Sequence, residues 1–152
     1  MHQPHRPSFR RAVLAVNGGP TDPLVVRLAS EVARPAKAEL VAVHVVEIDW
    51  TMPLDADVAE RSEEAQRVLD MAEGVAEQVG WRLESVLLQA RDVGAALVDE
   101  AAERGADLLV LGLPYRTRFG GDFAIGRAVP YCLKNATCAV WVVREAMSEE
   151  QP

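Results

Sequence analysis

Glu39-Leu-Val-Ala-Val-His-Val-Val46 is almost continuously apolar and rich in β-branched residues. A run of this length and composition is a strand covered on both faces, as strands inside a parallel sheet are. Upstream, Arg11-Ala-Val-Leu-Ala-Val16 reads as a shorter buried strand, closed by the turn residues Asn17-Gly18-Gly19-Pro20. Between the two runs Leu24, Val25, Leu28, Ala29 and Val32 recur at helical spacing. Thr21 or Asp22 is the expected cap, Pro23 suits a first helical turn, and Pro35 is the expected stop.

Downstream the alternation continues. Residues 47–55 are irregular, and Trp50 and Met52 there either line a crevice or pack on the surface. A helix is expected over roughly Asp57 to Val79, striped by Val58, Ala65, Val68, Leu69, Ala72, Val75 and Val79, and ended by Gly80. Trp81 to Gln89 alternates polar and apolar residues, the pattern of a half-exposed edge strand. Asp92 caps a helix running to Arg104, and Gly105 takes the left-handed position after it. Asp107 to Gly112 is a fourth strand, and Leu113 to Ile125 a loop bearing glycines and arginines. A last helix from Gly126 to Asn135 leads to a fifth strand, Cys138 to Val143. Strand–helix alternation of this kind builds an α/β domain, a parallel sheet with right-handed crossovers and helices on both faces. The domain is expected over residues 10–144, with residues 1–9 and 145–152 as flexible tails.

The totals agree with a single soluble domain. The chain has 152 residues, 49% hydrophobic and 26% charged, and its aromatic content of 5% leaves Ala, Val and Leu to build the core. Sixteen basic against 23 acidic residues give a net charge of −7, which disfavours a nucleic-acid partner. No stretch approaches the roughly 20 apolar residues of a membrane span. The polar, Pro-rich start lacks the apolar core of a signal peptide, so a cytoplasmic location without membrane insertion is expected. Cys132 and Cys138 read as small buried residues in a reducing compartment.

In an open parallel sheet, ligands sit beyond the carboxyl ends of the strands. Two loops there carry chemistry: the one after strand one, with Asn17, and the one after strand four, from Gly112 to Gly126. Arg116, Arg118 and Arg127 concentrate positive charge beside the start of the last helix, where backbone N–H groups favour an anion. A phosphate-bearing ligand fits that chemistry, and solvated loop arginines are the plainer reading.

Ala12-Val-Leu-Ala-Val-Asn-Gly-Gly19, Ala38-Glu-Leu-Val-Ala-Val-His-Val45, Ala106-Asp-Leu-Leu-Val-Leu-Gly112 and Ala136-Thr-Cys-Ala-Val-Trp-Val-Val143 together resemble the universal stress protein family. The resemblance spans about Arg10 to Arg144. It implies a Rossmann-like sheet of the adenine nucleotide alpha-hydrolase type, in the order 3-2-1-4-5, and a homodimer through strand five, Cys138 to Val143. It also implies a stress-response regulatory role. Nucleotide-binding members use an Asp after strand one and a Gly-x2-Gly-x9-Gly-Ser/Thr loop after strand four.

Carried onto this chain, the resemblance places an ATP or ADP site, with magnesium accompanying it, at Ala15, Val16 and Asn17. Val45 is set where a strand-two backbone meets adenine, and Gly112, Tyr115, Arg116, Arg118, Gly126 and Arg127 belong to the phosphate loop. The loop departs from the family pattern. Asn17 stands for the Asp and carries no charge for a metal. Tyr115 stands for the second Gly, which costs about 1–3 kcal/mol if that position needs positive φ. Ten residues separate Tyr115 from Gly126, and Arg127 replaces the Ser/Thr. Losing that hydroxyl's bond to phosphate costs about 1.5–3 kcal/mol, which Arg127 recovers if it pairs with the phosphate directly. Parts of 114–121 and 126–135 are also similar to stress-protein domains partnered with amino-acid permeases, which implies a transporter as protein partner.

His44, inside an apolar strand, reads as a packing residue, and Asp22, Asp55, Asp57 and Asp92 read as helix caps. Trp141 reads as core or dimer interface. No Gly-x-Ser-x-Gly elbow, His-Glu-x-x-His or Walker loop is present, so no nucleophile or metal constellation is evident. The expectation is a non-catalytic, nucleotide-responsive regulatory dimer. The alternatives are a partner module without nucleotide and a slow ATPase.

Overall fold

Strands that are apolar on both faces need cover from both sides, and the helices that follow the first four strands supply it. The computed structural model describes residues 8–55, 59–113 and 127–146. Along them run β1 (Arg11–Ala15), α1 (Asp22–Ala36), β2 (Glu39–Glu47), α2 (Ala59–Val79), β3 (Glu84–Ala90), α3 (Val93–Glu103), β4 (Leu108–Gly112), α4 (Ala128–Asn135) and β5 (Ala139–Val143). The strands form one parallel sheet in the order β3-β2-β1-β4-β5, the order that the resemblance implied.

The two-residue period of the strands divides the core into two layers. Ala12, Leu14, Leu40, Ala42, Leu108 and Val110 face α1 and α2, where Val25, Ala29, Val68, Leu69 and Ala72 meet them. Val13, Val41, Val43, Leu109 and Leu111 face the other way, onto Leu97 and Ala101 of α3 and Cys132 of α4. Burying a Val or Leu side chain fully is worth about 1.5–3 kcal/mol, so these two layers carry most of the stability. Phe9, outside the expected domain boundary, is buried and meets Trp141 edge-on at 5.9 Å. Trp141 is thereby packed, half-buried, against the α1–α2 core layer.

Several element ends differ from expectation. Pro35 does not stop α1, which continues to Ala36. A proline so near the end costs little, because the chain needs few further helical bonds there. The stop comes from Lys37, at φ 54°, and Arg34 then donates through its guanidinium to the Val79 carbonyl at 3.1 Å. β3 begins at Glu84 rather than Trp81, because Trp81 donates through Nε1 to the Ala38 carbonyl at 3.0 Å and packs into the α1–α2 layer. α4 begins at Ala128 with Arg127 before it, and Pro130 lies in its first turn, where a missing N–H is harmless. Gly80 and Gly105 adopt φ 82° and 65°, as their places after helices require. Gly112 ends β4 so close to α1 that a Cβ there would lie 3.2 Å from Val25 and 3.3 Å from Thr21.

Candidate functional site

β1, the central strand, is flanked by β2 and β4, and its carboxyl end opens the loop to α1. Val16 N–H donates to the Val43 carbonyl at 3.0 Å, and the chain then leaves the sheet. Gly18 supplies φ 86°, a conformation that a residue with a Cβ resists; a Cβ there would also come within 3.2 Å of Val68. Asn17 Oδ1 accepts from Gly19 N–H at 2.8 Å, an Asx turn that fixes which amide atom points where. Among the described residues its Nδ2 donor is uncommitted.

Asp22 does not cap its own helix. Its buried carboxylate accepts from Asn17 N–H at 3.1 Å and from Gly18 N–H at 2.7 Å, so it holds the loop before the helix. Burial pushes its carboxyl above the ordinary range, against the opposing pull of those two amides and of nearby His44. The residue in the cap position is Thr21, whose side chain makes no capping bond. Asp92, by contrast, caps α3 as expected, accepting from Ala95 N–H at 3.1 Å.

His44 is half-buried rather than simply packed, and its Nδ1 lies 2.8 Å from the Val16 carbonyl. A carbonyl only accepts, so Nδ1 carries the hydrogen of this bond. Two cavities open beside these residues. One, of about 340 Å³, is lined by His44, Val45, Val46, Glu47 and Glu64. The other, of about 380 Å³, lies between Gly18, Gly19, Asp22 and the α2 residues Glu64, Arg67 and Met71. Glu64 borders both.

The fold therefore brings Ala15, Val16, Asn17, Val45 and Gly112 together at the carboxyl ends of three adjacent strands. Arg127 stands exposed before α4. Tyr115, Arg116, Arg118 and Gly126 lie outside the described residues. Trp50 and Met52 line neither cavity; Trp50 is 80% exposed, with the Arg91 guanidinium 5.0 Å over its ring. The sequence reading missed the roles of Asp22, His44 and Glu64. A polar ring amid β2's apolar run was the one visible signal for His44.

Among the described residues, no group of three His, Cys, Asp or Glu side chains could hold a metal ion, and no helix is long and apolar enough to cross a membrane. Cys132 and Cys138 are free thiols. Burial pushes Cys132 up to about 11, with smaller contributions from Asp92 and Cys138, and it raises Cys138 as well.

The chain is similar to known proteins over most of its length. It is 34% identical over 116 residues to the sensor protein KdpD of Mycobacterium tuberculosis, covering 76% of this chain. The match spans only 12% of KdpD's length. The structure of a universal stress protein from Archaeoglobus fulgidus in complex with dAMP superposes with a TM-score of 0.68 at 24% identity, covering 88% of this chain and 96% of that one. An Arabidopsis thaliana universal stress protein family protein with AMP bound gives 0.64 at 15% identity, covering 92% and 94%. The model of the universal stress protein family matches residues 8–144. With the sheet order and the loop after β1 in place, this chain belongs to the universal stress protein family.

Proposed function

We propose that this domain is a regulatory module that binds an adenine nucleotide at the carboxyl ends of β1, β2 and β4. The observation that carries the reading is the cavity of about 340 Å³ beside Val45, the residue that the family pattern sets against adenine. Its volume falls within the range of small-molecule sites. The dAMP and AMP complexes of the relatives support the same class of ligand.

The residues present suit a nucleotide in part. Asn17 offers its Nδ2 donor to a ribose or base. Arg127, at the start of α4, adds a charge where backbone N–H groups already favour phosphate. Magnesium would be held by the nucleotide's own phosphates, since Asn17 contributes no charge to it. The likeness to a stretch of a sensor protein favours regulation over catalysis. A homodimer through β5 belongs to this reading, because β5 is a sheet edge with Val142 exposed and Leu133 exposed on the neighbouring α4.

The test is a calorimetric titration with AMP, ADP and ATP, with and without magnesium. Micromolar binding is expected. Absence of heat at high protein concentration would remove the nucleotide and leave docking to a protein partner, such as a transporter, as the account of this face.

A further inference from the structure

In a parallel pair, alternate residues of one strand turn both N–H and C=O toward the same neighbour. On β2 the odd-numbered residues face β1: Glu39 N–H donates to the Arg10 carbonyl at 2.8 Å, and the Val43 carbonyl accepts from Val16 at 3.0 Å. The even-numbered residues face β3, in line with Ile48 N–H donating to the Ala90 carbonyl at 2.8 Å. The next rung toward β1 would join Val45 N–H to the Val16 carbonyl, and the Val45 carbonyl to Gly18 N–H. Neither bond forms. The Val16 carbonyl accepts from His44 Nδ1 at 2.8 Å, and Gly18 N–H donates to Asp22 at 2.7 Å. Two side chains have taken both partners, and the ladder stops with Ala15 opposite Val43. The donor and acceptor of Val45 point past the end of β1, and Val45 lines the cavity shared with His44 and Glu64.

We propose that His44 and Asp22 are positioning residues that hold the Val45 backbone N–H and C=O open as a donor–acceptor pair for a planar base. This rests on the nucleotide reading above and deepens it. An adenine edge sets a ring-nitrogen acceptor beside an amino donor and meets both groups at once. A guanine held in the same pose sets a donor and an acceptor in the opposite order and meets neither. A residue without a donor at position 44 returns the Val16 carbonyl to Val45 and closes the rung.

The experiment is amide hydrogen exchange by NMR on the full chain without ligand, followed by titration with AMP and GMP. In the wild type the Val45 amide should exchange far faster than that of Val43, which lies inside the ladder. His44→Leu should slow Val45 exchange about tenfold, the factor that one net hydrogen bond supplies, and weaken AMP binding by a similar factor. His44→Asn, whose amide nitrogen donates from nearly the Nδ1 position, should restore both. A Val45 amide as protected as Val43 in the wild type overturns the proposal, and that comparison needs no variant to fold. Unchanged Val45 exchange in a folded His44→Leu variant also overturns it, and so does equal binding of AMP and GMP. Fast Val45 exchange that His44→Leu slows, with no binding of either nucleotide, upholds the arrested rung and removes the nucleotide reading instead.

Discussion

Gly18 N–H donates to the buried carboxylate of Asp22 at 2.7 Å, four residues on and already inside α1. The carboxylate that would ordinarily serve its own helix end serves the loop instead, and Asn17 N–H joins it at 3.1 Å. Asp22→Ala leaves both amides without their acceptor and should cost about 1–3 kcal/mol. Asp22→Asn keeps an oxygen for Gly18 and should cost less. Because burial raises this carboxyl, the folded state holds the proton more tightly than the unfolded chain does. Its contribution is complete below the ordinary value of 3.8 and is lost as pH rises through the higher folded value. Urea unfolding of wild type and Asp22→Asn across that window should therefore show the wild type losing ground as pH rises. A constant difference would mean that Asp22 is not raised.

Gly112 closes β4 against α1 with no room for a side chain. Gly112→Ala places a methyl group 3.2 Å from Val25 Cγ2 and 3.3 Å from Thr21, both buried. Overpacking of this kind costs about 1–3 kcal/mol, read as a lowered thermal midpoint. A midpoint equal to the wild type would show that α1 gives way without strain at this contact.

The architecture was legible because one physical requirement dominates it. Runs such as Val41 to Val46 and Leu108 to Leu111 must be buried on both faces, and their alternation with helical segments makes the cover a parallel sheet's crossovers. The site was less legible because its groups act through the backbone. Asp22 sits where a cap residue belongs, and composition cannot distinguish an acceptor for the helix from one for the preceding loop. His44 sits where Val or Leu would serve the core, and its bond to Val16 depends on where β1 leaves the sheet. Glu64 is one of many acids on α2, and only the packing of α2 against the β1 loop brings it to both cavities.

Thiol chemistry should be quiet in the folded protein. With Cys132 pushed up to about 11, only about a thousandth of it is thiolate near pH 8. Cys132 is fully buried and Cys138 is raised too. Iodoacetamide should therefore label neither residue appreciably until the protein is unfolded in urea, when both should react at ordinary rates. Rapid labelling of Cys132 in native buffer would mean that α4 opens from α3.

The β5 edge offers the sharpest test of assembly. Leu113 N–H donates to the Val143 carbonyl at 2.7 Å, so Val143 and its alternates turn their backbone groups to β4. Val142 turns its own outward, where an open edge invites a second strand. A two-fold axis through that edge would pair Val142 across the dimer and satisfy both copies at once. Val142→Pro removes the outward N–H while sparing the β4 rungs, and Val142→Ala keeps it. By light scattering, the wild type and Val142→Ala should show twice the chain mass of 16.6 kDa, and Val142→Pro should approach the single-chain value. Circular dichroism must show Val142→Pro folded for the comparison to count. A folded Val142→Pro that stays dimeric would move the interface away from β5, and a monomeric wild type would remove the dimer from the proposed function.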